Sequence, residues 1–373
     1  MSAPETAPET PAHVPLLRRP GIAARLGVLL GVCVVICFAT GIFSHWIQHP
    51  PSWFVTPRSP AWLYQLTQGV HVASGVAAIP LVLLKLAAVY PKLFERPMIG
   101  SPVRLLERAA TAVLVASMLF QLFTGLLNIS QWYAWTFFFT TTHYATAYLV
   151  LGAVAVHLAI KLPLVVAEFR RRTAESVTPG LPRRAVLTAG IAAAGLAVVT
   201  VGSQSVPALH RLGVFAPRSG SGPQGMPVNR TAAAAGVATS AHSGDYRLVL
   251  AGPTPVELTL EQLRAMPQHT ARLPLACVEG WTQYGWWSGV RVGDLAALAG
   301  LEGRNLRFVS LERGPYGQSE MDHAQVTDAD TLLALRLGGE DLDLDHGFPC
   351  RLIAASRPGV QQTKWISRIE AVR

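Results

Sequence analysis

The 373-residue chain has no Cys-X-X-Cys pair, no His-Glu-X-X-His run, no glycine-rich phosphate loop set between a strand and a helix, and no Gly-X-Ser-X-Gly nucleophile elbow. Cysteine-pair metal sites, zinc proteolysis, nucleotide-phosphate binding and the α/β-hydrolase arrangement each lose their usual sequence carrier. Composition leaves open a Ser-His-Asp hydrolase built another way. Only four cysteines occur, Cys33, Cys37, Cys277 and Cys350. Cys33 and Cys37 lie one helical turn apart in an apolar run and read as small apolar filling. Acidic residues are scarce in the first half. Residues 1–203 hold 15 Lys and Arg against 6 Asp and Glu, whereas 204–373 hold 16 of each. The net charge of +9 therefore belongs to one half of the chain, a distribution that argues against nucleic acid as a partner.

That half is where the apolar residues cluster. Runs at 23–45, 66–90, 107–129, 142–167 and 185–205 each approach the ~20 residues that an apolar helix needs to cross a bilayer. Arg18, Arg19 and Arg25 flank the first run. Lys92, Arg96, Arg104 and Arg108 separate the second and third, and Arg170, Arg171, Arg172, Arg183 and Arg184 separate the fourth and fifth. The remaining two loops hold only Arg58 among basic residues, and the tryptophans Trp46, Trp53, Trp62, Trp132 and Trp135 collect there. The positive-inside rule then gives a multi-pass cell-membrane protein in contact with lipid, with a cytoplasmic N-terminus and an extracytoplasmic C-terminal domain. Residues 1–16, rich in Pro, Ala, Glu and Thr, read as a disordered cytoplasmic tail without the charged start and apolar core of a secretory signal.

Histidines within the runs are few. His71 lies early in the second; His143 opens the fourth and His157 lies deeper in it. Ionisable groups inside a membrane are costly and usually functional, and neutral imidazole ligates haem iron. The second and fourth runs point the same way, which puts His71 and His143 at similar depth, as axial ligands of one haem b. His143 and His157 are separated by about 21 Å of helix, nearly four turns, so both face one side. His45 and His49 read as interfacial. Residues 17–172 resemble the four-helix cytochrome b subunits of formate dehydrogenases and hydrogenases. The resemblance implies a second haem between His157 and a histidine near the start of the first helix, but 23–30 contains none. Pro182-Arg183-Arg184-Ala185-Val186-Leu187-Thr188 resembles a twin-arginine export signal at the head of a fifth, linking helix, 183–205.

Residues 206–242, rich in Gly, Ser, Pro and Ala, read as a linker and lead-in loop. From 243 the pattern is mixed. Strands are expected at 246–251, 272–276, 306–311, 351–355 and 365–372, with helices from Thr259 (capped by Gln262), at 294–298 and at 327–337. This interleaving points to an α+β domain. Cys277 and Cys350 are its only cysteines; Cys350 reads as buried filling rather than a disulfide partner.

The run Cys277-Val278-Glu279-Gly280-Trp281 resembles the metal-thiolate loop of the sulfite oxidase superfamily, whose molybdopterin-binding domain the chain resembles from about 226 to 373. Pro227-Val228-Asn229-Arg230-Thr231 resembles the loop that approaches the pterin, and Gly314-Pro315-Tyr316-Gly317-Gln318-Ser319 the active-site loop. His346-Gly347-Phe348-Pro349-Cys350-Arg351-Leu352 and Arg357-Pro358-Gly359 to Lys364-Trp365 resemble the closing pterin segment. The resemblance implies Cys277 as molybdenum ligand, a soft thiolate suited to that metal. It implies Asn229, Arg230, His346, Arg351 and Lys364 as molybdopterin contacts, and Tyr316 as a donor to substrate or to an oxygen at the metal. Sulfite oxidases follow their cysteine with arginines; here Glu279 follows, which disfavours a dianion. The loop is closer to the periplasmic methionine-sulfoxide reductase catalytic subunit. The implied activity is electron transfer among quinone or quinol, haem b and molybdenum, with reduction of a small S-oxide or N-oxide. Sulfite-type oxidation, or a non-enzymatic haem protein with a cofactor-free C-terminal domain, are the alternatives.

Overall fold

The computed structural model describes Leu17 and residues 20–96, 100–170, 183–216 and 222–372. The expected tail 1–16 and Pro182 of the twin-arginine-like run lie outside the described residues. Long apolar sequence forms helix because a helix bonds its backbone polar groups internally. Five helices result: α1 (Pro20–Gln48), α2 (Leu63–Leu93), α3 (Pro102–Ile129), α4 (Phe139–Arg170) and α5 (Arg183–Ala197). The first four run about a turn beyond their apolar runs at most ends. After α5 the chain tightens through a π turn, Val198–Gly202, and a 3-10 turn, Ser203–Ser205. By length and composition all five apolar segments, the last counted as Ala185–Ser205, suffice to cross a membrane.

The chain divides into two compact units. One comprises Met1–Val35, Gly75–Thr124 and Phe137–Leu196; the other comprises Ile36–Ser74, Gly125–Thr136 and Ala197–Arg373. In the first, Ile22, Leu26, Leu81 and Ala194 form one apolar cluster, and Val82, Met118 and Val150 another. Lys85 Nζ donates to Ala23 O, and Lys161 pairs with Glu107.

In the second unit the described part of 206–242 holds local structure. It carries a 3-10 turn, Pro207–Leu212, and short helices α6 (Ala232–Ala235) and α7 (Ala238–Ala241), and buries Met226, Ala232, Val237 and Ala241. Then follow β1 (Leu248–Ala251), β2 (Val256–Leu258), α8 (Leu260–Ala265), β3 (His269–Ala276), β4 (Thr282–Arg291), α9 (Val292–Leu298), β5 (Leu306–Ser310), β6 (Gln318–Met321), α10 (His323–Val326), β7 (Leu332–Leu337), β8 (Glu340–Asp341), β9 (Arg351–Ile353) and β10 (Ile366–Ala371). One sheet runs β2-β1-β10-β5-β6; the other runs β3-β4-β7-β8, with β9 also on β7. Leu248, Leu250, Phe308, Leu352, Ile366 and Ile369 are fully buried in the main core.

The α+β reading holds, and Thr259 forms its capping box with Gln262. One expected helix is corrected. Residues 327–337 hold no helix; the second part is the strand β7, paired with β4, β8 and β9. Leu332, Leu333, Ala334 and Leu335 are buried in succession. A strand covered on both faces has no alternation to betray it, so its Leu/Ala composition imitates a helix. The ten-residue β4, next to Cys277, was not expected from sequence.

Candidate functional site

Cys277 stands where β3 turns into β4. The ladder closes at Ala276 opposite Thr282, leaving 277–281 as the turn. The Cys277 N–H donates to Trp281 O at 2.9 Å, and Cys277 O accepts the Gly280 N–H at 3.0 Å. Gly280 has φ +95°, and a Cβ there would lie 2.6 Å from Val72 Cγ2, so conformation and space both require glycine. The Cys277 side chain is 3% exposed. Asn229 Nδ2 donates to its Sγ at 3.0 Å, and the Glu279 N–H reaches the same sulfur at 3.5 Å. Donors aimed at sulfur are what a metal-bound thiolate accepts. All four cysteines are free thiols, so Cys277 and Cys350 are not joined. Cys350 is fully buried against Tyr246, and burial pushes its thiol up to about 12.

Tyr316 lies at the tip of the β5–β6 hairpin, 45% exposed. Its hydroxyl titrates above the usual tyrosine range, first through lost solvation and then through the negative charge of Cys277 and Glu279 nearby. The hydroxyl is therefore a donor at neutral pH, electrostatically close to the cysteine. Glu279 is buried and accepts from Gln131 Nε2 at 2.7 Å.

The expected cofactor cations are engaged by the protein itself. Arg351, fully enclosed, donates from Nη1 to His346 O and from Nη2 to Gln362 O, each at 3.1 Å, and stacks 5.2 Å over Trp287. Burial lowers it to about 9. Its Nε has no hydrogen-bond partner among the described residues. Lys364 Nζ donates to Arg230 O and, at 2.8 Å, to Asp345 O; burial first, and Arg351 second, lower it to about 7. Arg230 places Nε 2.8 Å from Glu312. His346 Nε2 donates to Pro223 O at 2.7 Å, and burial lowers the ring to about 4. The ring is thus neutral with its remaining lone pair at Nδ1, which offers an acceptor. The donor set fits a cofactor carrying one soft metal and one anionic group. Cys277 and Asn229 converge on the metal position, and Arg351 keeps an unengaged buried N–H. Among the described residues no three His, Cys, Asp or Glu side chains gather as a protein-only metal centre.

His71 Nδ1 donates to Cys37 O at 2.9 Å, with Thr40 Oγ1 3.2 Å from the same nitrogen. That bond leaves the neutral ring's lone pair on Nε2, the atom a haem iron takes. Gly41 faces the ring, where a Cβ would lie 3.1 Å from Cε1. His143 belongs to the other unit; its carbonyl accepts from Gln121 Nε2, and its ring lies 4.9 Å from that of Phe139. His157 sits within electrostatic reach of Lys85, Lys161 and Glu107. At Ala23 and Gly27, near where the resemblance asks for a histidine, the Lys85 ammonium is lodged.

Residues 235–373 match the family model of the oxidoreductase molybdopterin binding domain. That segment, similar to a molybdopterin-binding domain, follows the five apolar helices. Over 168 residues it is 28% identical to sulfite oxidase of Arabidopsis thaliana, covering 35% of this chain and 43% of that one. Over 111 residues it is 30% identical to the Azospira oryzae protein named "Putative protein-methionine-sulfoxide reductase subunit YedZ1", covering 30% of this chain and 42% of the relative. The sulfane dehydrogenase SoxCD structure from Paracoccus pantotrophus aligns with 34% of this chain and 38% of its own at 26% identity and a TM-score of 0.32. The chain spans less than half the length of each of these relatives.

Proposed function

We propose that the protein is a membrane-anchored molybdopterin oxidoreductase that reduces a small S-oxide or N-oxide with electrons drawn from quinol through haem b. The observation that carries this reading is the buried Cys277 turn, with the Asn229 amide donating to its sulfur. Molybdopterin supplies oxygen-atom transfer when bound. An S-oxide takes up two electrons and two protons to give sulfide and water, and quinol releases the same numbers on becoming quinone. Cys277 holds the metal, and Asn229 orients and stabilises the thiolate. Tyr316 donates a hydrogen bond to the substrate oxygen. Arg351, with its unengaged Nε, and Lys364 hold the anionic end of the cofactor. His71, tautomer fixed by Cys37 O, and His143 serve as haem ligands. The N-terminus lies in the cytoplasm and the C-terminal domain outside, as the arginine distribution implies; twin-arginine export belongs to the same reading.

Sulfite-type oxidation is the second reading, and the name of the Arabidopsis relative supports it. A buried carboxyl one residue beyond the turn's first peptide, Glu279, weighs against a doubly negative substrate.

The test is molybdenum and haem per polypeptide in detergent-purified protein from a host that makes the cofactor. Wild type should hold both. Cys277→Ala should lose molybdenum and keep haem; His71→Ala should do the reverse. Haem without molybdenum in wild type would sink the catalytic reading and leave a haem protein.

A further inference from the structure

Three successive carbonyls of the Cys277 turn accept hydrogen bonds from residues far away in sequence. Gln68 Nε2 donates to Val278 O, Gln204 Nε2 to Glu279 O at 3.2 Å, and Ser205 Oγ to Gly280 O. Gln131 adds its bond to the Glu279 carboxyl. All four donors lie at the ends of apolar helices or just beyond them, and Gln68, Gln204, Ser205 and Glu279 are buried. Gln65 extends the set: its Nε2 donates to Ser205 O at 3.0 Å, and its Oε1 accepts from Tyr284 at 2.9 Å. Gln65, Gln68 and Val72 share one face of α2, and Val72 is the side chain against Gly280. A buried carbonyl left without its donor is costly, so each of these bonds restrains the turn.

We infer that Gln68, Gln204 and Ser205 are positioning residues for Cys277, so that the end of α2 forms a wall of the metal site. The turn is thereby fixed by segments remote in sequence within the same compact unit. Gln68 is one helical turn from His71, so a shift of α2 is felt at Cys277. This rests on the proposed function only in naming Cys277 as the metal ligand.

Two readouts in the full-length chain test it. In cofactor-free protein, alkylation of the buried Cys277 thiol by a small maleimide reports opening of the turn. Gln68→Met removes one donor at similar volume and should speed alkylation about fivefold. Gln68→Glu, which sets a carboxyl oxygen against Val278 O, should speed it more. Ser356→Ala removes the bonds to Pro60 O and Arg58 O, neither of them on the turn, and should change nothing. In molybdenum-loaded protein, the Gln68 variants should shift the metal's electron paramagnetic resonance spectrum, and Ser356→Ala should not. Equal alkylation rates for wild type, Gln68→Met and Gln68→Glu would overturn the inference. So would an effect of Ser356→Ala equal to theirs, since that is general loosening. A wild type without molybdenum would remove the functional reading while leaving the alkylation test intact.

Discussion

The Cys277 turn and the closing segment that holds His346, Arg351 and Lys364 both carry the molybdopterin signal, yet they are held in opposite ways. The turn has no cation of its own, and its carbonyls are secured by amides and a hydroxyl from other segments. The closing segment holds itself: Arg351 binds His346 O and Gln362 O, Lys364 ties Arg230 O to Asp345 O, and Trp365 donates to Leu344 O. Residues expected from sequence to meet an anion thus act as staples. The turn is a site whose geometry is set by its surroundings; the closing segment is a scaffold that also offers charge.

Arg351→Ala tests that contrast most severely. It orphans two buried carbonyls and opens a cavity beneath Trp287, so the C-terminal domain should lose about 3–5 kcal/mol in denaturant unfolding followed by tryptophan fluorescence. Cys277→Ala should cost about 1 kcal/mol in the same measurement, in the range of an ordinary substitution. Equal losses would erase the distinction between scaffold and site. Acid sharpens it next. His346 titrates near 4 in the folded chain against 6.5 for a free side chain. Between those values the unfolded chain binds a proton that the folded chain refuses. The stability contributed is complete above pH 6.5 and disappears as pH falls to about 4, a change of about 3 kcal/mol. His346→Gln should flatten that limb, whereas Cys277→Ala should leave it in place.

How far the sequence disclosed these parts depends on whether the signal was local. Five apolar runs and the Thr259 capping box are local patterns, and both appear as read. Strand β4 was hidden by its glycines. A Cβ at Gly285 would strike Leu337 at 2.6 Å, and one at Gly289 would lie 2.0 Å from Leu333 O. Residues that look like strand breakers are there because a neighbouring strand comes close. Strand β7 was hidden by burial on both faces. Cys277 and Asn229 were legible through motif, though only the fold shows that the amide meets the sulfur. Gln68, Gln204 and Ser205 carry no motif, and lie 210 and 75 residues from the carbonyls they bind. The engagement of His346 by Pro223 O was equally invisible, because a histidine's partner depends on which carbonyl the fold brings to it.

Asn229 gives the smallest and most discriminating effect. Its amide donates directly to the Cys277 sulfur at 3.0 Å. Asn229→Ala should lower unfolding stability by about 1 kcal/mol, the usual worth of one hydrogen bond and well below Arg351→Ala. Its effect on metal retention should be out of proportion to that loss, because a donor facing a metal-bound thiolate stabilises the loaded state more than the empty one. Asn229→Asp keeps the shape but turns a donor into a carboxyl oxygen beside a negative sulfur, so it should lose molybdenum on dialysis faster than Asn229→Ala. Were alanine and aspartate to lose metal equally, the amide would be acting through packing. The turn would then differ from the closing segment only in where its staples come from, and not in what it is built to hold.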